Sequence, residues 1–248
     1  MSRELITDED IASFFDEGWI TDVLFAVKSG KEATVYCAKA PPGRGAEYFA
    51  LKVYKPMAHR SFRDDATYQE GRFGRKKNET RAMRAMRKKT ATGKKLQFGG
   101  WLAHEFACLR TLHAAGADVP EPIAIGSNAI LLQFIGEGDR AAPPLHTVRL
   151  SREAAEPLFQ QAIRNVEIML GCHLVHGDLS AYNILHVAGR LCIIDFPQAV
   201  DARFNANART LLARDIANIC GYFGRQGVVA EPDQITDDLW ERYQRAQL

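Results

Sequence analysis

Two short stretches are the most informative part of this sequence: His-Gly-Asp-Leu-Ser-Ala-Tyr-Asn at residues 176–183, and Ile-Ile-Asp-Phe at residues 193–196. Asp178 offers a carboxylate that can orient an attacking hydroxyl group. Asn183 and Asp195 offer oxygen ligands, which Mg²⁺ prefers and which phosphate oxygens commonly complete. Phosphoryl transfer needs such a carboxylate and such metal ligands. The two stretches therefore predict a phosphoryl-transfer site.

These stretches also resemble a known family, the RIO atypical protein kinases. The match combines His-Gly-Asp, then Ser-x-Tyr before the asparagine, and Asp-Phe-Pro-Gln at residues 195–198. The resemblance covers the chain from about Ile11 to Leu248. It implies an α+β, two-lobed protein-kinase-like fold, with an antiparallel sheet and a helix in the N-lobe and a reduced, mostly helical C-lobe.

The implied activity is that of a serine/threonine protein kinase, which transfers the γ-phosphoryl group of Mg-ATP and can phosphorylate itself. ATP and Mg²⁺ are the expected cofactors, with Mn²⁺ as a possible substitute. The protein substrate is unknown. By the resemblance, Asp178 is the catalytic base, Asn183 and Asp195 hold the metal, and Lys52 contacts the phosphates.

The resemblance also divides the chain. We expect an N-terminal helical extension over residues 1–20, a kinase N-lobe over 21–135 and a reduced C-lobe over 136–248. A basic flexible insertion is expected within the N-lobe, over about 60–98. Because 248 − 195 leaves 53 residues after Asp195, the peptide-binding helices of an ordinary protein kinase are not expected. The segment before the phosphate loop is too short for the winged-helix domain of one RIO subfamily, so we expect a minimal form without that domain.

A small polar turn, Ser-Gly-Lys-Glu at residues 29–32, separates two predicted strands. Gly30 permits close backbone approach to a ligand, and Ser29 can donate to a phosphate oxygen. A plain hairpin turn fits the same residues. The run from Ser29 to Tyr36 is, however, similar to the family's phosphate loop, which implies that Ser29, Gly30, Lys31 and Glu32 bind the nucleotide.

Lys52 lies between apolar residues in Ala-Leu-Lys-Val, on the third predicted strand. An exposed edge lysine is one interpretation. The order of phosphate loop and then strand favours the lysine that contacts the α and β phosphates. An amphipathic helix is predicted over residues 101–115, and Glu105 within it is expected to form an ion pair with Lys52.

The hinge that would hold adenine through its backbone is assigned to Gln133, Phe134 and Ile135. This assignment comes from alignment with the family, because backbone hydrogen-bonding groups leave no mark in the side chains.

Two further residues are expected to hold the loop around Asp178. His176 is expected to do so by side-chain hydrogen bonds, and Asp215 is expected to anchor the loop from below. A last helix is predicted over residues 237–246, with Thr236 as its cap.

Charge is distributed unevenly along the chain. The net charge is +2, but Arg72–Lys95 contains eleven lysines and arginines and one acid, Glu79, a local charge of +10. The remainder therefore carries +2 − 10 = −8. Two interpretations stay open: a solvated, partly disordered insertion, or a docking surface for RNA, a ribosomal particle or an acidic partner.

The sequence shows neither a secretion signal nor a membrane-spanning segment. The five cysteines form no C-x-x-C pair, which is typical of buried thiols in a reducing cytoplasm. The N-terminus lacks a signal peptide's apolar core, and no apolar run approaches the ~20 residues of a membrane helix. We expect a cytoplasmic protein that does not bind a membrane.

Two other functions compete with a protein kinase. Aminoglycoside and choline kinases use a similar loop, but they usually place other residues before the asparagine and carry a large C-terminal substrate lobe. An ATPase-type conformational switch that binds a ribosomal particle is the other alternative. In that case Asp195 itself could accept the phosphoryl group.

Overall fold

The computed structural model describes residues 8–55 and 91–248, with the side chains of 11–55 and 99–248. Two compact units make up the described chain. The first contains residues 8–55, 91–106 and 121–141, and the second contains residues 107–120 and 142–248.

The first unit contains a five-stranded sheet, one helix before the first strand and one helix between the third and fourth strands. Its elements are α1 Asp8–Asp16, β1 Asp22–Ser29, β2 Ala33–Lys39, β3 Tyr48–Tyr54, α2 Ala91–Ala114 (whose last residues belong to the second unit), β4 Pro122–Ile125, β5 Ala129–Gln133, β6 Gly136–Glu137 and β7 Arg140–Ala141. The main sheet has the order β1-β2-β3-β5-β4 and is antiparallel throughout.

Alternation along β3 separates the core from the candidate site. Leu51 and Val53 point to one face, where they join a buried cluster with Ile11 and Phe14 of α1. Because successive side chains on a strand point to opposite faces, Lys52 lies on the other face. Helix α1 therefore covers the face of the sheet opposite to the one that carries Lys52.

The second unit is mainly helical. Its elements are a 3₁₀ turn Leu145–Thr147, α3 Arg152–Gly171, β8 Leu174–Val175, β9 Ile184–Val187, β10 Arg190–Ile193, β11 Val200–Asp201, α4 Ala208–Gly224 and α5 Pro232–Gln244. Helices α3 and α4 pack through apolar faces, with the rings of Phe159 and Phe223 5.6 Å apart. A hairpin joins β9 to β10 and turns through positive φ angles at Ala188 and Gly189, which suit a tight hairpin connection.

The α+β class predicted from the sequence is confirmed. Two helix starts differ from prediction. Helix α2 begins at Ala91 and not at residue 101, and α5 begins at Pro232 and not after a cap at Thr236. The predicted basic insertion lies outside the described residues as far as residue 90. Within the described ranges, no helix has the length and apolar character to cross a membrane.

Candidate active site

The first unit contains a buried ion pair. Lys52 Nζ lies 2.7 Å from Glu105 Oε1, and the two residues are 8 % and 1 % exposed. Strand β3 and helix α2 supply one residue each. This is the ion pair predicted from the sequence, and it is confirmed. Since each charge is removed from water, each depends on the other for stabilisation.

Tyr54 completes this ion pair, and sequence reasoning missed it. Its hydroxyl donates to Glu105 Oε2, and Lys52 Nζ lies 5.2 Å from the centre of its ring. Both carboxylate oxygens of Glu105 are therefore engaged. A signal existed in the sequence: Tyr54 lies two residues after Lys52 on one strand, so both point to the same face.

The predicted phosphate loop connects β1 to β2. Ser29 Oγ lies 3.1 Å from the hydroxyl oxygen of Thr34, and the Gly30 N–H donates to the Ala33 carbonyl at 2.9 Å. Lys31 is exposed and Glu32 is half-buried. A Cβ at Gly30 would meet the Ala33 oxygen at 3.4 Å, an ordinary contact. The loop itself therefore does not require glycine, and close approach of a ligand remains the predicted reason for it.

The predicted hinge residues follow β5. Gln133 ends that strand, and its backbone and side chain both bond to the backbone of Glu121. Phe134 and Ile135 lie between β5 and β6 and belong to neither strand. Their backbone groups are consequently not committed to a strand, as the predicted contact with adenine requires, but the role itself stays a prediction.

In the second unit, the loop around Asp178 is held from below by α4. Asp215, 1 % exposed, accepts hydrogen bonds from the backbone N–H groups of Gly177 at 2.8 Å and Leu179 at 2.9 Å. This anchoring by Asp215 was predicted and is confirmed. Arg214 donates to the Gly177 carbonyl. Gly177 has a φ of 77°, a conformation that favours glycine.

Asn183 connects Asp178 to the loop that carries Asp195. Its Nδ2 donates to the Asp178 carbonyl at 2.8 Å and to the Asp178 carboxylate at 3.2 Å. The backbone carbonyl of Asn183 accepts a hydrogen bond from the Ile194 N–H at 2.9 Å. Asn183 therefore lies beside the residue that precedes Asp195. Asp195 has a φ of 74°, which is uncommon outside glycine. The three residues predicted for the chemistry are thus brought together.

His176 fixes the two loops relative to each other. It is buried, accepts from the Asp178 N–H through Nδ1 at 3.3 Å, and bonds through Nε2 to the Ile194 carbonyl at 3.2 Å. An accepting Nδ1 assigns the proton to Nε2, the neutral tautomer that donates to that carbonyl. The predicted role of His176 in holding the loop is confirmed.

Asp178 on this loop and Asp215, which anchors it from α4, both have raised pKa values. Burial raises the pKa of Asp215 to about 7, against the opposing effect of its backbone hydrogen bonds and of Arg214. Asp178 is more open to solvent, but the protein around its carboxyl group still raises the pKa by desolvation. The hydrogen bond from Asn183 and the charge of Arg214 oppose that shift, and Asp195 adds to it.

A second polar network anchors β10, the strand that leads to Asp195. The Asp118 carbonyl accepts from the Ile193 N–H at 2.8 Å, and the Asp118 carboxylate accepts from Asn165 and Arg190. Burial alone would raise the pKa of this carboxyl, but hydrogen bonds from Gln161, Asn165 and Arg190 outweigh it and lower the pKa. Sequence reasoning missed this network because its members are far apart in sequence.

The donor atoms suit a hard cation. The Asp195 carboxylate and the Asn183 amide oxygen are the ligand types that Mg²⁺ takes, and phosphates or water usually complete its shell. Asn183 directs its amide nitrogen to Asp178, which leaves its amide oxygen for a cation. In the parts of the chain that the structure describes, no cluster of three or more His, Cys, Asp and Glu residues could hold a metal alone. The residues present therefore fit Mg²⁺ held jointly with phosphate.

Fold and site together define a kinase-like protein, and comparison with known proteins gives its family. A family model described as the RIO domain matches residues 34–235, most of the chain. The chain belongs to the RIO domain family.

Relatives include the serine/threonine-protein kinase RIO1 of Chaetomium thermophilum, 34 % identical over 88 % of this chain and 42 % of the relative. The human serine/threonine-protein kinase RIO1 is 33 % identical over 85 % of this chain and 35 % of its own length. The Rio1 kinase of Haloferax volcanii is 34 % identical over 84 % of this chain and 66 % of its own. The chain therefore spans less than half the length of the fungal and human relatives.

A solved structure shares the fold. The Rio2 kinase from Chaetomium thermophilum matches 94 % of this chain and 66 % of its own length, with a TM-score of 0.67 and 22 % sequence identity. At that identity the likeness shows the fold alone.

Proposed function

We propose that this protein is a RIO-type serine/threonine protein kinase that transfers the γ-phosphoryl group of ATP to protein hydroxyl groups, including its own. The observation that carries the proposal is the joint placement of Asp178, Asn183 and Asp195. Asn183 bonds directly to Asp178, and its carbonyl receives the N–H of the residue before Asp195. Membership of the RIO domain family supports it.

Asp178 orients the acceptor hydroxyl and receives its proton. The carboxyl group is open to solvent, while Asp215 holds the backbone on either side of it, so an acceptor can reach a side chain whose backbone is anchored. Positioning of this kind supplies much of the rate gain in phosphoryl transfer, where the protein has little covalent chemistry to perform.

Lys52 and the loop from Ser29 to Glu32 bind the phosphates, and the backbone of Gln133–Ile135 binds adenine. Glu105 orients Lys52 through the ion pair at 2.7 Å and leaves its ammonium group able to contact an anion. Asn183 and Asp195 hold Mg²⁺, for which Mn²⁺ can substitute. When bound, the metal ion neutralises negative charge on the phosphates.

Transfer of label from γ-labelled ATP tests the proposal. The wild type should label serine or threonine of itself and of a generic protein acceptor, whereas Asp178→Ala and Asp195→Ala should not. Asp237→Ala, an exposed acid on α5, is the matched control and should label normally. Labelling of small alcohols and not of protein would contradict the proposal and favour a small-molecule kinase.

The stability of the label separates a kinase from an ATPase switch. Phosphoserine survives hydroxylamine, whereas a phosphoryl group on the Asp195 carboxylate does not. Free phosphate with no serine label, or a hydroxylamine-labile label lost in Asp195→Asn, would contradict protein phosphorylation and favour the switch.

We further propose that Arg72–Lys95 binds RNA or a ribosomal particle in the cytoplasm. Its local charge of +10 on an otherwise acidic chain supports this. Phosphate contacts release counterions, so affinity for RNA should fall steeply as salt rises. Replacing Arg84, Arg87 and Lys88 by glutamine should weaken binding and flatten the salt dependence. The matched control replaces three exposed arginines of the second unit by glutamine and should do neither: Arg149, Arg152 and Arg245.

A further inference from the structure

Lys55, the residue after β3, contacts the predicted phosphate loop. Its Nζ donates to the Gly30 carbonyl at 2.6 Å and to Ser29 Oγ at 3.2 Å. Its backbone N–H donates to the Glu32 carbonyl at 2.8 Å. One residue therefore bonds to three of the four residues of the loop.

The ammonium groups of Lys55 and Lys52 have different kinds of partner. Lys52 is paired with the Glu105 carboxylate, whereas the described partners of Lys55 Nζ are a carbonyl and a hydroxyl, both neutral. Within the described ranges, no carboxylate lies at ion-pair distance from Lys55. An ammonium group has three N–H donors, so two of them hold the loop and a third can reach an anion bound there.

The hydrogen bonds of Lys55 are additional to those that close the β1–β2 hairpin. The β1–β2 turn already closes through the bond from the Gly30 N–H to the Ala33 carbonyl and through the contact between Ser29 and Thr34. Hydrogen bonds from Lys55 connect this turn to the end of β3. Lys52, on the same strand, is the proposed phosphate contact. The loop and the lysine are thereby held in a defined relation inside one unit.

We propose that Lys55 is a positioning residue that holds the loop from Ser29 to Glu32 in its nucleotide-binding conformation and lowers the KM for ATP. The inference rests on the proposed function, because it assigns the loop to the phosphates of ATP. Lys55 acts through the loop, so it should affect nucleotide affinity more than the rate of transfer.

Kinetics of four proteins test this role: wild type, Lys55→Met, Lys55→Arg and Lys39→Met. Lys55→Met removes the charge and the donors at similar length, and it should raise the KM for ATP about tenfold, equivalent to ~1.4 kcal/mol. Its kcat should change less than about twofold. Lys55→Arg should restore most of the affinity, and Lys39→Met, which removes an exposed lysine at the far end of β2, should match the wild type.

Amide hydrogen exchange without nucleotide separates the inference from the proposed function. Lys55→Met should speed exchange in residues 29–34 and leave β5 unchanged, whereas Lys39→Met should do neither. Equal exchange and equal ATP affinity in wild type and Lys55→Met would overturn the inference. A fall in kcat with an unchanged KM would overturn it too. If the wild type fails to bind ATP in a direct binding measurement, the proposed function fails, and faster exchange in Lys55→Met would still establish the loop contact.

Discussion

Lys52 in the first unit and Asp178 in the second are held in opposite ways. The charge of Lys52 is buried and is fixed by another side chain, Glu105. The carboxylate of Asp178 is accessible, and its backbone neighbours are fixed by the buried Asp215. The first arrangement makes the proposed phosphate contact part of the core. The second leaves the proposed catalytic carboxylate accessible to solvent, and another residue anchors its loop.

The difference predicts how function and stability are coupled. A change at Lys52 or Glu105 leaves a buried charge without its partner, so it should affect folding and activity together. A change at Asp178 removes an accessible side chain and should affect activity alone. Substitutions in each of the two arrangements test this difference.

The largest effect on stability is expected from Glu105→Ala. It leaves the Lys52 ammonium buried without its carboxylate, and the free energy of unfolding should fall by about 3–5 kcal/mol. Urea denaturation measures this. The double variant Lys52→Met/Glu105→Leu removes both charges and should regain most of the loss while remaining inactive. Glu241→Ala, which breaks an exposed ion pair with Arg245, should change little. If the double variant were no more stable than Glu105→Ala, an uncompensated buried charge would not be the cause.

A smaller loss is expected from Asp215→Asn. The amide offers one acceptor oxygen where the carboxylate offers two, so one of the N–H groups of Gly177 and Leu179 loses its partner. An unpaired buried donor costs about 1–3 kcal/mol. Activity should fall as well, because the loop that carries Asp178 loosens. Asp237→Asn on the surface of α5 is the control. Normal activity in Asp215→Asn would show that the loop holds its position without this anchor.

The same substitution has an expected pH dependence. The pKa of Asp215 in the folded protein is raised from 3.8 to about 7, so the folded state favours the protonated carboxyl group. The stabilisation from this preference is complete below the unfolded pKa and is lost as pH rises through the folded pKa. The Tm difference between wild type and Asp215→Asn should therefore narrow from pH 5 to pH 8. A difference that stays constant or widens would contradict the raised pKa.

Tyr54→Phe should have the smallest effect. It removes the hydroxyl that donates to Glu105 and keeps the ring, so the loss should be about 1 kcal/mol, as for a typical hydrogen bond. Thermal unfolding measures it, with Tyr48→Phe as the control. A loss as large as that of Glu105→Ala would mean that the tyrosine, and not the lysine, compensates the carboxylate.

The placement of Asp178, Asn183 and Asp195 close together was predictable because these residues are near one another in sequence. Asp178 and Asn183 are five residues apart, and Asp195 follows across one hairpin, so their spacing alone brings them together. The Lys52–Glu105 pair was predictable from the order of strand and helix in the family. Anchoring by Asp215 was also foreseen.

The residues that hold the site were harder to predict. Lys55, Arg214 and Asp118 have no local pattern that distinguishes them from other polar residues, and their roles depend on tertiary contacts. Tyr54 shares a strand face with Lys52, but this alternation does not by itself identify its partner. Helix starts were misjudged for a related reason. Gly99 and Gly100 lower helix propensity, yet α2 continues through them, and a Cβ at Gly99 would meet nothing within 4 Å.

The start of α5 shows how two signals can compete. The cap predicted at Thr236 is wrong, because Thr236 lies inside the helix and donates to the Pro232 carbonyl at 2.7 Å. Proline is favoured in the first turn of a helix, where its missing N–H costs nothing. Pro232 was therefore the better signal.

The most direct test of this account measures phosphoryl transfer and urea unfolding on the same preparations of wild type, Asp178→Asn and Glu105→Gln. We predict that Asp178→Asn loses transfer by about 10²–10⁴-fold, the range for a lost general base, while its free energy of unfolding stays near the wild-type value. Glu105→Gln should lose both transfer and stability. Normal transfer by Asp178→Asn, or a loss of stability as large as that of Glu105→Gln, would contradict it.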